Sequence, residues 1–122
     1  MNKPESIFPE MRSQERIEVR RNVRVLDQRT GSELGSLVNY SEDGMMIMGS
    51  CPIDENRIYQ VRLEFGDTST LPIELGIESL WTQANPEQDC HWTGFYIIDI
   101  SPQARRRMEE LNGPGQEPGT AA

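Results

Sequence analysis

Between residues 17 and 100 the chain is cut into six short segments rich in β-branched and aromatic residues, a pattern that fits a sheet and little else. The segments are 17–26 (IEVRRNVRVL), 34–40, 45–48, 59–65, 71–81 and 91–100. Several alternate as strands with one buried face must: Ile17, Val19, Val23 and Val25 share one side, and Val61, Leu63 and Phe65 share another. Turn chemistry separates them, at Thr30-Gly31, Asp43-Gly44, Gly66-Asp67 and the loop 84–89. Consecutive short strands of this kind read as an antiparallel meander, and closure into a small barrel removes its unpaired edges. The expected fold is all-β, a six-stranded antiparallel barrel.

One segment breaks the pattern. Ser101 is a natural N-cap, Pro102 suits the first helical position, and Gly113-Pro114 stops the run, so a single C-terminal helix is expected over 102–112. Ala104, Met108 and Leu111 form its apolar stripe, which can lie on the barrel. Pro4 and Pro9 mark residues 1–11 as a flexible N-terminal segment, and GPGQEPGTAA marks 113–122 as a disordered tail. One domain over 12–112 is left, as a chain of 122 residues leads one to expect.

The net charge of -8 argues against binding long polyanions, which the far field of an acidic protein repels. A compact anion is different, because screening at physiological salt cuts that field off beyond about 8 Å. No apolar run approaches the roughly 18 residues that span a bilayer, and MNKPESIFPE lacks the apolar stretch of a secretory signal, so a cytoplasmic protein without membrane insertion is expected. Cys51 and Cys90 show no CxxC spacing and His91 is the single histidine, so neither a disulfide framework nor a metal site is expected. No catalytic spacing of Ser, His and Asp, no HExxH and no P-loop is present, which points away from an enzyme and from any cofactor.

Six arginines fall between positions 12 and 29, opening with Arg12-Ser13-Gln14-Glu15-Arg16 (RSQER), and Lys3 is the only lysine of the chain. Arginine's planar fork binds phosphate and the guanine edge bidentately and stacks on flat rings, as lysine cannot. Further along, Asn39-Tyr40-Ser41-Glu42-Asp43-Gly44 (NYSEDG) ends one strand. Asn39 and Ser41, two apart, present an amide and a hydroxyl to the same side of an extended strand, and Gly44 permits a positive φ or a close approach. Taken alone, each stretch also reads as a solvated arm and a capped turn.

Together, an arginine pair spaced four apart before the first strand and NxSxxG at a later strand end resemble the PilZ domain, whose RxxxR arm and (D/N)xSxxG strand bind cyclic di-GMP. Leu80-Trp81, Thr93-Gly94-Phe95 and the segment from Ser101 to Arg105 continue the resemblance, which covers residues 12–112. It implies a six-stranded barrel and a bacterial second-messenger receptor. Arg12 and Arg16 would contact phosphates and a guanine, Asn39 and Ser41 the other side of the ligand, and Gly44 would hold the turn open. Trp81 would either stack on guanine or serve as a barrel-rim aromatic. Arg20, Arg21 and Arg24 read as a solvated strand face, and Arg105, Arg106 and Arg107 as surface or partner contacts.

The sequence departs from the family pattern in three ways. Asn39 replaces the more usual Asp, so no ionic pair with guanine forms there. The arm lacks the additional arginines of members that bind two intercalated ligands, which favours one ligand per chain. Glu15 adjoins Arg16 and can pair with it in the absence of ligand. The resemblance further implies a monomer that acts through a protein partner, signalling by the ordering of the arm. The competing class is a PilZ-like adaptor working by protein contacts without nucleotide.

Overall fold

Alternation carries through into a closed barrel. In the computed structural model, which describes residues 16–67 and 69–111, seven strands precede one helix. They are β1 (Ile17–Glu18), β2 (Arg24–Asp27), β3 (Glu33–Tyr40), β4 (Gly44–Gly49), β5 (Ile58–Glu64), β6 (Ile73–Asn85) and β7 (Cys90–Asp99), followed by α1 (Pro102–Glu109). All pairings are antiparallel, and following them round gives a ring, β2–β3–β4–β7–β6–β5 and back to β2. β1 and β2 both pair with β3 and are the two halves of one expected strand, so the barrel has six strands.

That first strand is split by a local bulge. Val19 donates to the Val38 carbonyl at 3.0 Å and Leu37 donates to the Val23 carbonyl at 2.9 Å, so Arg20, Arg21 and Asn22 are looped out between them. Arg21 thereby leaves the expected solvated strand face. It pairs with Asp67 at 3.2 Å, lies 4.7 Å over the Phe65 ring and donates to the Leu111 carbonyl at 3.4 Å. Arg24 remains on the outer surface, 3.0 Å from Glu33 and 4.0 Å from Glu64.

The expected simple meander is corrected. β2–β3–β4 and β5–β6–β7 are two three-stranded units, and the connection 50–57 carries the chain from β4 across to β5, beside β2. No tight-turn sequence joins β4 to β5, and a segment of this length can cross the end of the barrel. It is pinned there by Ser79, whose hydroxyl donates to the Asp54 carbonyl at 2.5 Å and whose amide donates to the Arg57 carbonyl at 2.8 Å. Where β3 and β4 bring the wall together the backbones nearly touch: a Cβ on Gly35 would stand 2.5 Å from the Met48 carbonyl oxygen, and one on Gly49 would stand 2.4 Å from that of Leu34.

Inside the ring Val23, Val25, Leu37, Met45, Ile47, Val61, Leu63, Ile73, Leu75, Ile77 and Phe95 form the core. Helix α1 closes one end as its stripe requires, with Ala104, Met108 and Leu111 all buried in the same cluster. Ser101 caps it by accepting from the Ala104 amide at 3.0 Å, and the Tyr40 hydroxyl donates to the Met108 carbonyl at 2.6 Å. Burial, and secondarily the nearby Glu109 carboxylate, raises the Tyr40 phenol above its ordinary 10.0. The helix is shorter than the 102–112 expected, because Glu110 and Leu111 turn out of it.

Candidate functional site

The candidate site lies on the outer wall, at the end of the barrel where the β3–β4 turn meets α1. Leu37 and Tyr40 both point inward although three apart, because a β-bulge between Leu37 and Asn39 shifts the alternation. Asn39, next to Tyr40, and Met46, between the inward Met45 and Ile47, therefore face outward. Strand register then sets a row across the wall: Glu18 on β1 opposes Asn39 on β3, Asn39 opposes Met46 on β4, Met46 opposes Gly94 on β7, and Gly94 opposes Trp81 on β6. With neighbouring strands about 4.8 Å apart, Asn39 and Trp81 stand roughly 14 Å from each other along this row.

Ser41 follows directly on β3. Its amide donates to the Gly44 carbonyl at 2.9 Å, closing the turn, and its hydroxyl is buried with no hydrogen-bond partner among the described residues. The residue is 4% exposed, so water does not compensate freely. Two long-range bonds hold the turn: Ile97 donates to the Asp43 carbonyl at 2.8 Å, and the Arg105 guanidinium donates to the Glu42 carbonyl at 2.7 Å. Gly44 is buried and begins β4, opposite Tyr96. It is not among the positive-φ glycines, so of the two roles expected for it the positive φ is not used.

Arg16 is exposed and immediately precedes β1. Ile17 pairs with Tyr40 and Glu18 with Asn39, and the same register continued by one residue would set Arg16 across from Ser41. The fold thus brings the base of the expected arm to the Asn39–Ser41 end of β3. Residues 1–15, and with them Arg12, Glu15 and the expected flexible 1–11 segment, lie outside the described residues, as do residues 112–122 with the expected 113–122 tail. Trp81 is on the row but is 3% exposed, packed with Met46, Leu80, Trp92 and Tyr96 in a cluster separate from the barrel core. A β-bulge between Ser79 and Trp81 sets that placement.

Comparison with solved structures decides what kind of barrel this is. The PilZ domain of YcgR from Escherichia coli, solved with c-di-GMP, matches over 81% of this chain and 86% of its own length, with a TM-score of 0.60 at 13% identity. This is the PilZ fold. The Bacillus subtilis inhibitor of motility MotI/DgrA shares it with a TM-score of 0.62 and 11% identity, over 81% of this chain and 48% of that one. The Borreliella burgdorferi PlzA protein, solved in complex with c-di-GMP, shares it with a TM-score of 0.53 and 11% identity, over 90% of this chain and 53% of that one. The chain therefore spans about half the length of two of these PilZ-fold proteins. No protein-family model matches the sequence, and no curated protein matches it either.

Two residues that hold the turn of the candidate site were not legible in the sequence. Tyr40 and Arg105 reach it from the core and from α1, and only the docking of the helix reveals the contacts. A cleft of about 810 Å³ lies elsewhere, between α1 and the start of β6, and includes none of the residues expected to bind ligand. Cys51 and Cys90 are free thiols, and among the described residues no group of three or more His, Cys, Asp or Glu is placed to hold a metal ion. Among the described residues no helix is long and apolar enough to cross a membrane.

Proposed function

We propose that this chain is a non-catalytic receptor for cyclic di-GMP that binds the dinucleotide on the outer barrel wall with Arg12, Arg16, Asn39, Ser41 and Gly44, Trp81 standing at the far end of the same row. The observation that carries the reading is the buried Ser41 hydroxyl without a partner among the described residues, lying where the β1–β3 register, continued by one residue, would bring Arg16. A buried donor left unpaired costs about 1 to 3 kcal/mol, and a ligand oxygen or ring nitrogen at this point satisfies it. Arg12 and Arg16 supply charge-assisted bonds to the phosphodiester oxygens, each worth roughly 1.5 to 3 kcal/mol. A guanidinium over a purine adds roughly 0.5 to 2 kcal/mol. Asn39 offers both a donor and an acceptor to the guanine edge. Similarity to PilZ-fold structures solved with c-di-GMP supports the choice of ligand.

Binding orders the arm that carries Arg12 and Arg16, and a protein partner reads the ordered arm. Calorimetric titration of the purified chain with cyclic di-GMP tests the proposal. Saturable binding near or below micromolar, with one ligand per chain, is the expected result. Absence of heat together with unchanged amide chemical shifts at high ligand concentration would favour the adaptor that works by protein contacts alone.

A further inference from the structure

The β3–β4 turn is held by more than the two strands it joins. Three successive carbonyls, those of Glu42, Asp43 and Gly44, each accept a hydrogen bond, and the three donors come from three different parts of the fold. Gly44 is bonded by the Ser41 amide just after β3, at 2.9 Å, and Asp43 by the Ile97 amide of β7, at 2.8 Å. Both of these donors are backbone, so strand pairing supplies them whatever the side chains. The third is a side chain, the Arg105 guanidinium of α1, 2.7 Å from the Glu42 carbonyl. On the other side of Ser41 the Tyr40 hydroxyl reaches the same helix, at the Met108 carbonyl. The residues directly before and after Ser41 are therefore both tied to α1.

The fold does not need the Arg105 bond. Helix α1 is fixed to the barrel by buried Ala104, Met108 and Leu111, and on its far side by Arg107, which donates to the Leu71 and Pro72 carbonyls. The Arg105 bond is exposed, and an exposed bond competes with water and adds little to stability. Its effect is local: it fixes the plane of the peptide between Glu42 and Asp43. Free to rotate, that peptide would loosen the loop that the Ser41–Gly44 bond closes, and with it the Ser41 hydroxyl. A ligand that bonds this hydroxyl would then have to order the turn as it binds, and affinity falls by that ordering cost.

We propose that Arg105 is a positioning residue of the dinucleotide site, holding the Glu42 carbonyl so that the Ser41 hydroxyl stands where the ligand meets it, without itself touching the ligand. The role in binding rests on the cyclic di-GMP reading above; the hold on the turn does not. Because Arg105 acts only through Ser41, its loss costs no more than the loss of the Ser41 bond itself, roughly five- to twelvefold in affinity. For the same reason its loss costs nothing further once the hydroxyl is gone.

A double-mutant cycle on the full chain tests this, with cyclic di-GMP titrated calorimetrically into wild type, Arg105→Ala, Ser41→Ala and the double variant. Arg106→Ala removes the same charge from the next, exposed position of α1 and controls for the long-range field. Arg105→Ala should weaken binding by roughly three- to tenfold, the double variant should bind as Ser41→Ala does, and Arg106→Ala should bind as wild type does. Unchanged affinity in Arg105→Ala overturns the proposal. Additive losses overturn it too, since they mean that Arg105 meets the ligand directly, and equal losses in Arg105→Ala and Arg106→Ala mean that only the charge counts. In the ligand-free protein, Arg105→Ala should displace the amide resonances of Ser41, Asp43 and Gly44 while Arg106→Ala leaves them in place; undisplaced resonances in Arg105→Ala overturn the hold on the turn. Displaced resonances without any heat of cyclic di-GMP binding in wild type uphold that hold and remove the receptor reading, and with it the role in binding.

Discussion

Replacing Ser41 by Ala should make the ligand-free protein more stable and the liganded complex weaker. The Ser41 hydroxyl is buried with no partner among the described residues, and the turn's own bond, from the Ser41 amide to the Gly44 carbonyl at 2.9 Å, is made by backbone and survives the substitution. Removing an unsatisfied hydroxyl recovers its desolvation cost, about 1 to 3 kcal/mol, less a few tenths for the void that one oxygen leaves. The net is about 1 kcal/mol, which for a domain of this size raises Tm by roughly 4 to 8 °C. The same oxygen is proposed to bond the dinucleotide, and losing one such bond weakens binding by about 1 to 1.5 kcal/mol, roughly five- to twelvefold. Urea unfolding and calorimetric titration of the two proteins measure both halves. A structural cap would behave oppositely: lower stability in Ser41→Ala with unchanged affinity would refute the reasoning, because it would show that the hydroxyl works for the fold and not for the ligand.

Arg12→Ala or Arg16→Ala should each weaken cyclic di-GMP binding by roughly 2 to 3 kcal/mol, about thirty- to a hundred-and-fiftyfold, with the circular dichroism spectrum unchanged; unaltered affinity in both would dismiss the arm. Tyr40→Phe removes the 2.6 Å bond to the Met108 carbonyl and should cost about 1 to 2 kcal/mol in urea. Because the folded phenol keeps its proton to higher pH than the unfolded one, its contribution is complete below the ordinary 10.0 and is lost as pH rises through the raised folded value. The stability gap between wild type and Tyr40→Phe should therefore narrow above pH 10.0, and a gap constant with pH would contradict this. Gly35→Ala, whose Cβ would sit 2.5 Å from the Met48 carbonyl oxygen, should lose roughly 2 to 3 kcal/mol. Gly31→Ala, at a φ of 77° in open space, should lose only about 1 kcal/mol; equal losses would mean that β3 and β4 can part without cost.

Much of this PilZ-fold barrel was legible without coordinates, wherever the controlling interaction is local. Period-two alternation placed Val23, Val25, Val61, Leu63 and Phe65 on inward faces, and all five are buried. Ser101 and Pro102 marked the helix start because a cap is made between residues three apart. The arginine pair and the Asn39–Ser41 stretch pointed to the candidate site for a similar reason, since each is a short motif whose chemistry is written in nearby residues, and the proposal made of them awaits the titration.

Alternation says which way a side chain points, but not which strand lies beside it, and that choice belongs to the tertiary structure. The crossing at 50–57, the looped-out Arg20 to Asn22 and the row from Asn39 to Trp81 all depend on pairings between distant segments, which no local pattern encodes. Packing likewise decided that Trp81 is buried among Leu80, Trp92, Tyr96 and Met46, and that the Ser41 hydroxyl has no partner among the described residues. Whether a polar atom is satisfied is a property of everything that surrounds it, so only the assembled barrel could turn an ordinary serine into the most informative residue of the site.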